Sequence, residues 1–159
     1  MAEIQLVGHS DIDEIEPLCR RAFYQVGYDK PPRCYRYDRE HIRAVIARGV
    51  DSDSHILTKY VSDGVIQGFM AVGVTDFSFY SLGQKSVFEV VWHGDPRLEP
   101  GHQLQIQMAL LKDMIKRTGD ADLFSLTLDS KYLSLGRLEE RVGFEETTRT
   151  LVRRSPWAI

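Results

Sequence analysis

Residues 56–72, ILTKYVSDGVIQGFMAV, decide the fold. Two β-rich runs, Ile56–Val61 and Val65–Val72, flank the dipeptide Asp63-Gly64. Asp-Gly tolerates the positive φ angles of a tight primed turn, so the stretch reads as an antiparallel hairpin. Gly68 interrupts the second run and marks a bulge or a close approach of another backbone. Upstream, Glu3–Val7 alternates and reads as a short strand. Ile12, Ile15, Cys19, Ala22 and Phe23 recur at helical spacing and predict a helix over 11–25, with Ser10 and Asp13 as a loose capping box and Pro17 as a kink or a late start. A second helix, 38–48, places Ile42, Val45 and Ile46 on one face, with Gly49 past its end.

Downstream of the hairpin, a turn at Gly83 leads into a strand over Val87–Trp92, and residues 93–101 (HGDPRLEPG) form a loop. The longest helix spans 101–117, with Leu104, Met108, Leu111 and Ile115 as its buried stripe and Lys112, Lys116 and Arg117 near the negative end of its dipole. A strand over 123–128, a helix over 131–141 and a final strand from Phe144 to Val152 complete the chain. The order β-α-α-β-β-β-α-β-α-β predicts an α/β (α+β) fold. We expect a mixed, mostly antiparallel central sheet of six to seven strands flanked by about four helices, in one domain over 1–159.

Composition narrows the function. The 159 residues carry 20 Lys+Arg and 23 Asp+Glu, a net charge of −3, which argues against a general nucleic-acid binder. No stretch approaches the ~18 apolar residues of a membrane span, and the start Met1-Ala2-Glu3-Ile4-Gln5 lacks the features of a signal peptide. Cys19 and Cys34 do not make a disulfide framework. There is no CxxC and no His pair at helical spacing, so no metal site is expected. The reading is a cytoplasmic protein with reduced thiols and no membrane partner. Its β-rich run at 76–92 and its last strand leave a homodimer open.

The element order and three stretches resemble the GCN5-related N-acetyltransferase (GNAT) superfamily. Ser62–Val72 (SDGVIQGFMAV) looks like that family's second and third strands. Arg137–Thr147 (RLEERVGFEET) looks like its penultimate helix running into "Leu-Gly-Phe" and the last strand. Phe88–Trp92, a Pro-containing loop and a helix stand where the family places its acyl-CoA site. A more distant likeness, in size and C-terminal pattern, is to small GNAT-like proteins of tailed phages.

The resemblance implies an acyl-CoA-dependent N-acyltransferase, with acetyl-CoA as co-substrate and an amine of a small molecule or protein as acceptor. It implies that a backbone N–H of the fourth strand, at Val91 or Trp92, stabilises the oxyanion. The pyrophosphate loop departs from the family's Gly-rich pattern. Gly101 is its only glycine, Pro100 lacks an N–H, and Glu99 adds a carboxylate, so phosphate binding would fall to Gly101, His102 and Gln103 with Arg97. The alternative is a helix start that binds no phosphate.

Glu89 and His93, four apart on one strand, are expected on the same side, with Phe88, Val90 and Trp92 opposite. A carboxylate on an inner strand is costly unless partnered, which makes Glu89 a candidate base, with His93 beside it. The family's Tyr that protonates the leaving thiolate corresponds to Glu139; Tyr132, two helical turns earlier, can reach the same site or serve as a packed aromatic. Tyr24, Tyr28 and Tyr35, in the Tyr-rich segment before the second helix, either line an acceptor cleft or simply pack on the surface. A GNAT-fold binding or assembly protein without CoA binding is the competing function.

Overall fold

The computed structural model describes residues 1–31, 33–77, 82–127 and 143–144. Strand β1 (Ala2–Leu6) is followed by one 3-10 turn, then by helices α1 (Ile12–Val26) and α2 (Arg39–Val50). Strands β2 (His55–Ser62), β3 (Val65–Phe77) and β4 (Leu82–Gly94) follow, then helix α3 (Pro100–Arg117) and strand β5 (Leu123–Ser125). Described residues thus hold five strands and three α-helices. The helix expected over 131–141 and nearly all of the last expected strand lie outside them. No described helix is long and apolar enough to cross a membrane.

The sheet order is β1-β2-β3-β4-β5, antiparallel except for the parallel β4–β5 pair. The β2–β3 connection is the expected tight turn, with φ of 51° at Asp63 and 77° at Gly64. One face of the sheet packs on α3 through Met70, Val72, Val87, Trp92, Ile106, Leu110 and Met114. The other packs on α1 and α2 through Ile15, Leu18, Ile46, Leu57, Phe69 and Ala71.

Gly68 lies beside the expected bulge, and what approaches it most closely is a side chain, not another backbone. The β2–β3 register shifts beside it, and a Cβ there would collide with Ile106 of α3. Helix α1 starts after Asp11, whose carboxylate accepts from the Gly8 N–H at 2.8 Å, in place of the Ser10–Asp13 box. Pro17 sits inside α1 without ending it, and Gly27 terminates the helix in the left-handed region at φ 79°. Asp38 caps α2 by accepting from the His41 N–H at 2.9 Å. Gly49 falls inside α2, not past its end, where a Cβ would meet the Leu57 side chain at 3.1 Å. The buried stripe of α3 centres on Ile106, Leu110, Leu111 and Met114, with Leu104 and Ile115 at its margins.

Candidate active site

Strand β4 carries the site, and a bulge in it sets which side chains face where. Ala71 pairs with Val91 while Val72 pairs with Glu89, so Val90 has no partner across the strand. Alternation therefore resets at Val90. Glu89 and Trp92 share the α3 face, whereas Val91 and His93 lie opposite Ala71 and Phe69, which pack toward α1 and α2. The expectation that Glu89 and His93 share a side with Trp92 opposite is overturned by this one extra residue.

Among the described residues, the other edge of β4 has no strand partner over its second half. Strand β5 pairs with β4 only from Ser86 to Phe88, beside Leu123 to Ser125. The Asp95 N–H donates to the Gln67 carbonyl at 2.8 Å, so Asp95 faces β3. Antiparallel alternation then turns the N–H and C=O of His93 and Val91 to β3, and those of Trp92 and Gly94 to the free edge. The contact at Trp92 agrees: its carbonyl accepts from the Gln107 side-chain amide at 3.3 Å, and its indole N–H donates to the Gln107 carbonyl at 2.8 Å. Of the two oxyanion candidates, Trp92 directs its N–H to the opening and Val91 directs its own into the ladder.

A cavity of about 310 Å³ occupies the gap, lined by Tyr28, Glu89, Trp92, His93, Gly94, Gly101, Gln103, Leu104, Gln107 and Thr127, among others. A second, of about 540 Å³, lies between the sheet and α1–α2, lined in part by Phe23, Tyr28, Tyr37, Val90, Val91 and His93. Tyr28 and His93 line both. Tyr24 and Tyr35 line neither. Each is more than half exposed, Tyr24 packing on Phe23 and Tyr37 and Tyr35 on Tyr28. Tyr132 and Glu139 lie outside the described residues.

Electrostatics separates the two candidate bases. Burial pushes Glu89 up to about 7, against the opposing pull of the Thr127 N–H, which donates to its Oε2 at 3.3 Å. Burial pulls His93 down to about 4, so its ring is neutral near pH 7.

The loop after β4 spends its donors on itself. The carboxylate of Asp95, 2% exposed, accepts from the Arg97 N–H at 3.0 Å, from the Arg97 guanidinium at 2.6 Å and from Arg21 at 3.0 and 3.1 Å. Burial raises Asp95, but these bonds outweigh it and hold the carboxyl below its ordinary range. The Leu98 N–H donates to the Asp95 carbonyl at 3.0 Å, and the His102 and Gln103 N–H groups both donate to Glu99 O at 2.9 Å. Arg97 is thus held by Asp95, and neither it nor His102 lines either of these two cavities. The N–H groups of Glu99 and Gly101 keep no partner among the described residues. The sequence reading missed Asp95, Arg21, Gln107 and Thr127. The Asp95-Pro96 pair was the available signal, since Asp before a turn commonly accepts from the N–H two residues on.

No family model matches this sequence, and no curated protein matches it significantly. Solved structures do. A predicted acetyltransferase with acetyl-CoA from Clostridium acetobutylicum matches at a TM-score of 0.72 and 12% identity, over 97% of this chain and 96% of that one. A GNAT family acetyltransferase from Staphylococcus aureus matches at 0.66 and 12% identity, over 97% and 98%. The enzyme AAC(6')-Iy, in complex with the bisubstrate analogue CoA-S-monomethyl-acetylneamine, matches at 0.63 and 15% identity, over 98% of both chains. The chain has the fold of these acetyltransferases. None of the three supports the likeness to phage proteins.

Proposed function

We propose that this protein is an acyl-CoA-dependent N-acyltransferase, which moves an acetyl group from acetyl-CoA to an amine of a small molecule or protein. The carrying observation is the edge of β4, unpaired among the described residues, where the Trp92 N–H faces a cavity that Glu89 also lines. A pantetheine arm is an extended chain with amide groups and can pair with such an edge as a strand would. The fit is good at this end and poorer at the loop, where, among the described residues, the Glu99 and Gly101 N–H groups are the ones that remain for phosphate.

The donor supplies a thioester carbonyl, electrophilic at carbon. Trp92 holds the oxyanion that forms when an amine attacks that carbon. Glu89, titrating near neutrality, accepts the proton the amine must lose. His93, uncharged between the two cavities, orients the amine. The carbon–sulfur bond then breaks, an amide forms, and the thiolate takes a proton. Tyr132 and Glu139 remain the candidates for giving it.

Calorimetry and thermal unfolding with acetyl-CoA test the reading. At about 100 times its Kd, the ligand should add about 2.7 kcal/mol and raise Tm by several degrees. Neither heat nor a Tm shift would leave the other reading, a GNAT-fold binding or assembly protein without CoA, which the self-bonded loop favours.

A further inference from the structure

We infer that the acceptor is a monoamine on an apolar aryl or alkyl body, and that amines carrying several positive charges are rejected. This rests on the acyl-transfer reading and concerns the larger cavity, between the sheet and helices α1 and α2. Among the described residues that line it there is no Asp or Glu. Its walls are Phe23, Tyr37, Ile46, Leu57 and Phe69, and it meets solvent past Val45 and Val90, both more than a third exposed. One side chain lining it carries a full positive charge, Arg48.

The acids around this cavity are already engaged. Glu16, behind Tyr37, accepts from the Tyr37 hydroxyl at 2.9 Å and from the Arg39 Nε at 3.3 Å. Asp13 pairs with Arg43, and Asp51 with His9, each at 2.6 Å. The Arg48 Nε donates only to the Ala44 carbonyl, at 3.4 Å, and no carboxylate pairs with it among the described residues.

Charge decides what can enter. A single ammonium can leave its proton to solvent at the mouth, past Val45 and Val90, and enter as the neutral amine, because burial disfavours the charged form. A second ammonium meets no carboxylate among the described lining residues and lies near a like charge. Arg48 sits over β2 and His93 on β4, two strand spacings away, or roughly 10 Å. That span matches a ring or short alkyl chain, and also places the far amine of a diamine beside Arg48.

Titration calorimetry without any acyl donor tests this, with 2-phenylethylamine and spermidine as probes. Phenylethylamine is expected to bind at least tenfold more tightly than spermidine. In Arg48→Glu, spermidine should gain several-fold relative to phenylethylamine; Arg48→Ala should fall between. Spermidine binding as tightly as phenylethylamine, or neither amine binding, overturns the inference. Acetyl-CoA is absent from this titration, so its outcome is independent of the donor experiment above. Donor binding with a spermidine preference would sink this inference alone. Phenylethylamine binding without donor binding would sink the transferase reading and leave the cavity as a monoamine-binding site, not an acceptor site.

Discussion

The free edge of β4 at Trp92–Gly94 and the loop Asp95–Glu99 that follows it are consecutive in the chain and opposite in hydrogen bonding. The edge leaves N–H and C=O groups turned toward a cavity because β5 stops pairing at Phe88. The loop turns its groups inward on one buried carboxylate, Asp95. Backbone polarity that neighbours do not consume is what a ligand can use. By that measure the proposed thioester end is prepared for a donor, while the proposed phosphate end keeps only the Glu99 and Gly101 N–H groups among the described residues.

The largest test of the contrast removes the chemistry at the edge. Glu89→Gln should lower turnover by about 10²–10⁴-fold, the usual contribution of a positioned acid or base, with acetyl-CoA affinity nearly unchanged. Equal losses in both would make Glu89 a packing residue. Breaking the loop comes next. Asp95→Ala leaves Arg21 and Arg97 without their shared partner and should cost about 3 kcal/mol by chemical denaturation. If the closed loop is what limits phosphate contact, the same variant should bind acetyl-CoA more tightly, despite being less stable.

Gly94→Ala sharpens the boundary between the two segments. A Cβ there would meet the Gln103 backbone at 3.0–3.1 Å, so α3 must shift, at about 1–3 kcal/mol. The smallest structural effect is expected for Arg97→Ala, under about 1 kcal/mol, because the guanidinium is largely exposed and Arg21 still holds Asp95.

A pH series reads the edge by itself. Glu89 is raised in the folded state to about 7, so the rate should climb as pH rises through that value. Stability should move the other way. The protonated carboxyl is favoured by folding, and that advantage is lost as pH rises through about 7. Glu89→Gln should flatten both curves. His93, lowered to about 4, contributes the reverse: stability falls as pH drops from the ordinary His range, because the unfolded chain takes up the proton first.

Much of the scaffold was legible in the residues. Asp63-Gly64 can hardly be anything but a tight turn between two β runs, and the apolar spacing of α1 and α3 places both helices within one or two residues. Gly68 announced a close approach, though not that Ile106 makes it. The site was legible only in part. Glu89 stood out because a carboxylate on an inner strand needs a reason. The bulge at Val90 left no trace, since Val90-Val91-Trp92 suits a strand in any register, and with it went the true facing of His93. Asp95 read as a turn residue; its two arginine partners are 74 and 2 residues away, and only the fold brings the first of them near.

The unpaired valine in β4 makes the site sensitive to register. Deleting Val90 would restore strict alternation while keeping Val72 opposite Glu89 and Ala71 opposite Val91, so every facing would survive. Pairing Val90 with Ala71 instead, a slip of one residue, would swing the imidazole toward the α3 face and the indole toward α1 and α2. The same pieces would thus be permuted by a shift in pairing alone, with no residue substituted.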